Sequence, residues 1–256
     1  MEELIVIVKG KKIGSGKPLV CVPVMERTKE GIVNEIINLS KSTTDIIEWR
    51  VDAFSDYMNF NEIRDILKSI TPYLSEKIFL YTFRTNAQGG FGDVTSSQLE
   101  DIHDIGAESG IVDLLDLEYF AEEYPMIKIM KLHEKNIKIV ASHHDFDETP
   151  DREVMKMLLE NMCAGNADIV KIAVMPQSAE DVLELLSVTN EFYRENPDTP
   201  IISMSMGKFG MISRLCGETF GSCVTFAANK ECSAPGQMKM ENVIEIVDFL
   251  HENIKE

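Results

Sequence analysis

Cations are scarce in this sequence: 25 Lys and Arg stand against 43 Asp and Glu in 256 residues, a formal net charge of −18 at pH 7. So few positive charges, scattered along the chain, exclude a general nucleic-acid binder and a protein held on an anionic membrane. The five cysteines (Cys21, Cys163, Cys216, Cys223 and Cys232) contain no C-x-x-C pair and leave an odd number. Neither a disulfide framework nor a zinc knuckle is therefore suggested. No hydrophobic run reaches membrane length, and "MEELIVIVKG" is apolar over only five residues, too short for a signal-peptide core or a span. The expectation is a soluble, cytoplasmic protein. Low-complexity linkers and charge blocks are missing too, which makes a single domain over residues 1–256 the economical reading.

What the chain does contain is a recurring pair of patterns. Short β-branched runs occur at 19–25, 46–52, 77–84, 114–119, 138–145, 169–175, 200–206 and 222–228. Between them lie segments such as "EIRDILKSITPYL", "DREVMKMLLENM" and "AEDVLELLSVTNEFY", whose apolar residues return every three or four positions. Strand–helix alternation implies a parallel sheet. Eight units, with no G-x-G-x-x-G after the first strand, fit an α/β (β/α)8 (TIM) barrel better than an open doubly wound sheet. The leading segment, 1–17, reads as a β-hairpin turning at Gly10 or at Gly14–Gly16 and closing the N-terminal mouth of the barrel.

Alternation along each strand separates two faces. In "IIEWRVD", Ile47, Trp49 and Val51 oppose Glu48, Arg50 and Asp52; in "LLDLEY", Leu115, Leu117 and Tyr119 oppose Asp116 and Glu118; in "KIFLYTFR", Phe79, Tyr81 and Phe83 oppose Leu80, Thr82 and Arg84. The apolar faces belong against the helices, so charges of both signs line the interior towards the C-terminal ends of the strands, where barrel enzymes place their sites. Any one such residue can be a structural ion pair. Charges repeated on several strands must form a mutually paired cluster, because an unpaired buried charge costs several kcal/mol, roughly.

Lys171 in "IVKIAVM" shares this inward parity, opposite Val170, Ile172 and Val174. An inward lysine is either ion-paired or a nucleophile able to form a Schiff base, and parity alone leaves both open. "ASHHDF" adds an imidazole on the neighbouring strand, but His143 and His144 point to opposite faces and a bulge at the strand end could exchange them. The loop "NKECSAPGQM" after the last strand is either a mobile lid or an ordinary surface loop.

Taken in order, "EWRVD", "FRTNAQGG", "HDF", "KIAVMP", "SMSMG", "ISRLCGETFGS" and "SAPGQ" make the chain from about residue 18 onward resemble the type I 3-dehydroquinate dehydratases. The resemblance implies a barrel that dehydrates 3-dehydroquinate to 3-dehydroshikimate in the shikimate pathway of aromatic amino acid and chorismate biosynthesis, without metal or cofactor, as a homodimer. It makes Lys171 the imine-forming lysine and His144 the general base and acid. Glu48, Arg50 and Arg84 would hold the substrate hydroxyls and order the site, and Arg214 would take the carboxylate. Ser233 and Gln237 would close a lid, against an apolar wall of Met204, Met206 and Phe226.

Two positions depart from the pattern: Gln88 stands where some members carry a glutamate, and Pro23 where some carry a serine. A neutral amide orients a partner but takes no proton. Two competitors remain at this stage. A Schiff-base aldolase for sugar phosphates would want a phosphate nest after the seventh and eighth strands, whereas "MGKFGMISR" and "SAPGQ" supply one arginine and a lid. A non-catalytic barrel would lack the lysine or the histidine, and both are present.

Overall fold

Strands β3 (Leu19–Val24), β4 (Ile46–Arg50), β5 (Ile78–Thr82), β6 (Leu114–Glu118), β7 (Lys138–His144), β8 (Ile169–Val174), β9 (Ile201–Ser205) and β10 (Val224–Phe226) follow the eight sequence runs. They are nearly all buried, as strands covered on both faces must be. The computed structural model describes residues 6–14, 16–230 and 232–254. All neighbouring strands pair in parallel, in the order β10-β3-β4-β5-β6-β7-β8-β9. The two outer strands approach each other as well: Cys223 N–H donates to Ile201 O at 2.8 Å, and Ile201 bridges to Ser222. The eight strands thus form a nearly closed barrel, as expected.

The helices are α1 (Lys29–Ser40), α2 (Phe60–Ile70), α3 (Ser96–Glu108), α4 (Pro125–His133), α5 (Arg152–Ala164), α6 (Ala179–Glu195), α7 (Gly217–Phe220) and α8 (Met240–Ile254). Several starts are fixed by side-chain caps, including the reciprocal boxes Thr95/Gln98 on α3 and Ser178/Asp181 on α6. The seventh crossover is the exception. Its "ISRLCGETF" makes only a tight turn over Gly210–Arg214 and the four-residue α7, which leaves Arg214 in a loop-like segment beside the barrel mouth.

Two apolar layers result. Outward residues (Ile47, Trp49, Phe79, Tyr81, Leu115, Leu117, Val170, Ile172) pack against the helices, while Cys21, Ile46, Ile78, Leu114, Val140 and Ile169 fill the lower interior. The N-terminal hairpin seals that lower end. β1 (Val6–Val8) pairs antiparallel with β2 (Lys11–Ile13), and Val8 and the fully buried Ile13 join the lower layer. The turn is at Lys9–Gly10, both with positive φ (47° and 75°), as a two-residue hairpin loop requires. Lys9 Nζ then ties the hairpin to the barrel through Asp113 at 2.6 Å, and Lys11 does so through Asp45 at 2.7 Å. Of the two expected turn positions, Gly10 is the one used. Part of the 1–17 segment, residues 1–5 and 15, lies outside the described residues.

Candidate active site

The upper half of the interior is polar. Glu48, Arg50, Arg84, Gln88, His144, Lys171, Met204, Met206, Phe226, Ser233 and Gln237 all line one cavity, together with Gly89, Phe146, Ala173 and Ala234. Every sequence-predicted residue reaches this cavity except Arg214, which lies directly behind its wall.

Lys171 comes from the middle of β8 and Ser142 is its register partner on β7. The small serine leaves room for the lysine to reach over β7 to β6, where Lys171 Nζ meets Asp116 Oδ2 at 3.0 Å. Phe226 covers the amine, with the ring centroid 4.5 Å away. Asp116 is the hub: its other oxygen accepts from Arg84 at 2.7 Å and from Ser142 at 2.6 Å. Burial opposes ionisation of Asp116, but the charges of Arg84 and Lys171 and the Ser142 hydroxyl outweigh it and hold the carboxyl well below the usual range. Arg84 also binds Glu118 at 3.0 Å, while Glu118 accepts from Thr85 N–H and Oγ1 at 2.9 and 2.7 Å. Glu48 is fixed by Thr82 at 2.8 Å. Arg50 makes a two-pronged pair with Asp52, at 2.8 and 2.7 Å. Asp52 in turn accepts the backbone N–H groups of Arg84 and Phe91, both at 3.1 Å. Arg50, Arg84 and Lys171 are thus each paired with a carboxylate, as the repeated inward charges required, while Glu48 is held by a hydroxyl.

Asp116 was visible as an inward carboxylate, but sequence reasoning gave it no role in the site. Its signal was the same parity that singled out Lys171.

The histidine question has a geometric answer. β7 pairs regularly with β8 to its end, His143 with Ile172 and His144 with Ala173, so no bulge exchanges the two side chains. His144 therefore shares the inward face of Val140 and Ser142. His143 faces out and packs edge-on against Phe120, centroids 5.6 Å apart. The protonation pattern of His144 is fixed as well. Gln88 Oε1 accepts the His144 backbone N–H at 2.9 Å and lies 3.1 Å from Nδ1. Because the backbone group can only donate, the amide atom facing it is the oxygen; that oxygen can only accept, so Nδ1 carries the hydrogen. Nε2 is left as a free lone pair. Burial, then the cations Arg84 and Lys171, push the His144 pKa well below its ordinary value, so the ring is neutral at pH 7. Gln88 is placed by a tight turn that ends at Gly89, where φ is +77° and a Cβ would stand 2.3 Å from the Phe146 ring.

The loop between β10 and α8 folds over the mouth. Ser233 N–H donates to Gln237 Oε1 and Gln237 Nε2 donates to Ser233 Oγ, both at 2.8 Å. Gly236 (φ +80°) lets the loop backbone approach Gly207, where a Cβ would lie 2.4 Å from a carbonyl oxygen. Arg214 is 2 % exposed, and among the described residues no carboxylate contacts it. It donates to Pro235 O at 3.0 Å and touches Met204 Sδ at 3.5 Å, while among the described residues its Nε has no partner. Burial lowers its pKa to about 10, which still leaves it a cation. Among the described residues, no group of His, Cys, Asp and Glu is arranged to hold a metal ion.

A family model described as type I 3-dehydroquinase matches residues 20–254. A 3-dehydroquinate dehydratase of Clostridioides difficile is 40 % identical over 248 residues, 96 % of this chain and 97 % of that protein. Two crystal structures superpose closely. One is a type I 3-dehydroquinate dehydratase from Clostridium difficile with covalently modified comenic acid (TM-score 0.93, 39 % identity, 97 % of this chain and 98 % of that one). The other is the 3-dehydroquinate dehydratase of Geobacillus kaustophilus (TM-score 0.93, 32 % identity, 97 % of each chain).

Proposed function

The chain belongs to the type I 3-dehydroquinase family, and from that premise we propose that it removes water from 3-dehydroquinate with Lys171 as the imine-forming amine and His144 as base and then acid. The observation that carries this reading is the pairing of a buried amine, held over Asp116, with a neutral imidazole in the same cavity whose Nε2 is free.

In the resting site Lys171 is paired with Asp116, so it must shed a proton before it attacks. Asp116 is held too acidic to keep that proton, whereas neutral His144 can take it. The amine adds to the substrate ketone, and the imidazolium returns the proton to the carbinolamine hydroxyl, which leaves as water. The product is a protonated imine. Its electron withdrawal acidifies the adjacent C–H bond, and His144 removes that proton to give an enamine. The electron pair then expels the neighbouring hydroxyl, which His144 protonates as it leaves. One group serving both departures implies loss from the same face, a syn elimination. Water hydrolyses the conjugated imine, releasing 3-dehydroshikimate and the lysine ammonium.

Glu48 and Arg50, on the cavity wall, are suited to the substrate hydroxyls. Arg84 orders Asp116 and Glu118, and Arg214, a buried cation with no anion beside it among the described residues, is suited to the carboxylate. Met204, Met206 and Phe226 form the apolar side, and Ser233 and Gln237 latch the lid. We assign the working enzyme as one domain, a cytoplasmic homodimer that needs no cofactor.

Borohydride tests the central assignment. Reduction should inactivate the protein only with substrate or product present, and mass spectrometry should place the reduced adduct on Lys171. Adduct on another lysine in Lys171→Ala, or retained turnover in that variant, would overturn it.

A further inference from the structure

Among the buried residues of α1, Glu35 alone is charged. It stands with Ile32, Ile36 and Leu39 on the face that packs into the core and is 3 % exposed. A carboxylate so placed loses its hydration, and an apolar side chain of that size would avoid the loss. What Glu35 holds in exchange is the start of the lid. Asn229 Nδ2 donates to its Oε1 at 2.5 Å, and Lys230 Nζ stands 2.6 Å from its Oε2. Glu26, just before α1, accepts from the same ammonium at 3.0 Å.

These contacts fall where the loop leaves the barrel. Ala228 closes its base, donating its N–H to Met238 O at 2.8 Å and accepting the Met240 N–H at 2.9 Å, and Asn229 is the next residue. Ser233, one half of the latch over the active-site cavity, lies three residues beyond Lys230. Beneath this first stretch Met25, Arg27 and Thr28 line a second cavity with Glu35 and Lys230, so polar contacts rather than apolar packing hold the loop there. The far side of the loop is tied through Pro235 O, which accepts from Gly207 N–H at 3.2 Å and from Arg214 at 3.0 Å. A carboxylate that draws the Arg214 donors to itself loosens that second tie at the moment the lid has to stay over the substrate. We propose that Glu35 is the positioning residue of the lid, the fixed point from which residues 229–237 are held over the cavity, an inference that rests on the proposed dehydration and on Ser233 and Gln237 as its lid residues. Glu35 is not part of the active-site wall, so it acts through the loop and its loss weakens substrate binding more than the chemical steps.

Hydrogen exchange of the free protein, read by mass spectrometry, follows the loop without any substrate, and initial rates with 3-dehydroquinate follow its use. In Glu35→Met the amides of residues 229–238 should exchange about tenfold faster or more, while those of α1 and α3 keep their wild-type rates and the thermal transition does not fall. KM should rise about tenfold, the lower end of what a hydrogen bond to a charged group is worth, with kcat within about threefold of wild type. Lys230→Met should change the loop and KM in the same way, and the double variant should be no worse than Glu35→Met. Glu35→Gln keeps the size of the side chain and removes its charge, so it gives the same reading at lower risk to folding. Wild-type exchange and KM in both Glu35→Gln and Lys230→Met would overturn the assignment, as would faster exchange spread over α1 and the barrel strands, or a loss confined to kcat. A wild-type protein that leaves 3-dehydroquinate unchanged would instead overturn the functional reading, and the exchange rates would still decide whether Glu35 holds the loop.

Discussion

Gln88 is the residue whose replacement most directly tests how the imidazole works. Its carbonyl accepts two hydrogens from His144, one from the backbone and one from Nδ1. Gln88→Glu keeps the shape and both contacts but adds a charge about 3 Å from the ring. An anion that close favours imidazolium, typically by about 1–3 pK units, or roughly 1.4–4 kcal/mol. The wild-type ring titrates well below its ordinary value, so the acid limb of kcat/KM should lie below pH 6.5. In the variant a raised pKa keeps the ring protonated, and therefore useless as a base, to higher pH. The limb should move up by about 1–3 units, while the plateau near pH 8 stays close to wild type because the tautomer is still held. Gln88→Leu separates charge from orientation. Leaving the buried N–H groups of His144 unpaired costs about 1–3 kcal/mol. If that cost falls on the transition state, the plateau drops about 5- to 150-fold with no upward shift of the limb. The assay is initial-rate formation of the enone chromophore from pH 4.5 to 9. An unmoved limb in Gln88→Glu, or wild-type turnover in Gln88→Leu, would refute the claim that this amide holds the Nδ1 side of the working imidazole.

Three further outcomes follow from the geometry. Arg214→Ala should weaken substrate binding by roughly 10- to 150-fold, the effect of losing a charge-assisted pair worth about 1.5–3 kcal/mol, and more than Gln237→Ala does; equal affinities in isothermal titration would place the carboxylate elsewhere. His144→Ala should lose about 10²–10⁴ of turnover yet still accumulate borohydride-trappable adduct, while His143→Ala stays within about tenfold; the reverse ranking in single-turnover kinetics would put the wrong histidine in the cavity. His103, buried on α3 with neither ring nitrogen bonded, is pushed down to about 3 by burial and then by Lys128, so its stabilising effect is present above pH 6.5 and lost as pH falls towards 3; between pH 7.5 and 4.5 it accounts for about 2–3 kcal/mol, and urea unfolding of His103→Leu should show that much less acid loss than wild type.

The barrel and its inward residues were legible because strands buried on two faces keep their alternation without interruption. The parity of Glu48, Arg50, Asp116, Glu118 and Lys171 holds in the structure for that reason, and the regular β7–β8 register extends it to His144. What alternation cannot give is who meets whom across the interior. Lys171 and Asp116 belong to strands separated by β7, and their contact depends on barrel closure and on a serine between them. Lys171 therefore read equally well as paired or catalytic, and in the structure it is ion-paired. The contacts of Glu35 were hidden for a different reason: helical periodicity places it beside the apolar residues of α1 but does not show which distant loop reaches it.

The charges favour the proposed carboxylate over a phosphate in this cavity. Around it, Arg50, Arg84, Lys171 and Arg214 stand with Asp52, Glu48, Asp116 and Glu118, a cluster balanced in number. The balance is not local. Arg50 has Asp52, Lys171 has Asp116, and Arg84 has Asp116 and Glu118, while among the described residues Arg214 meets a loop carbonyl and a thioether, with its Nε unpaired. A desolvated guanidinium so placed gains most from an anion that brings one charge and two acceptor oxygens, since the fork of N–H donors matches that geometry. A phosphate would bring about twice the charge and ask for a nest of backbone N–H groups, yet the backbone group that the lid offers Arg214 is the carbonyl of Pro235, which repels an anion. Substrate entry would let the carboxylate take over from that carbonyl, so binding the acid and repositioning the lid loop become one event at the same guanidinium.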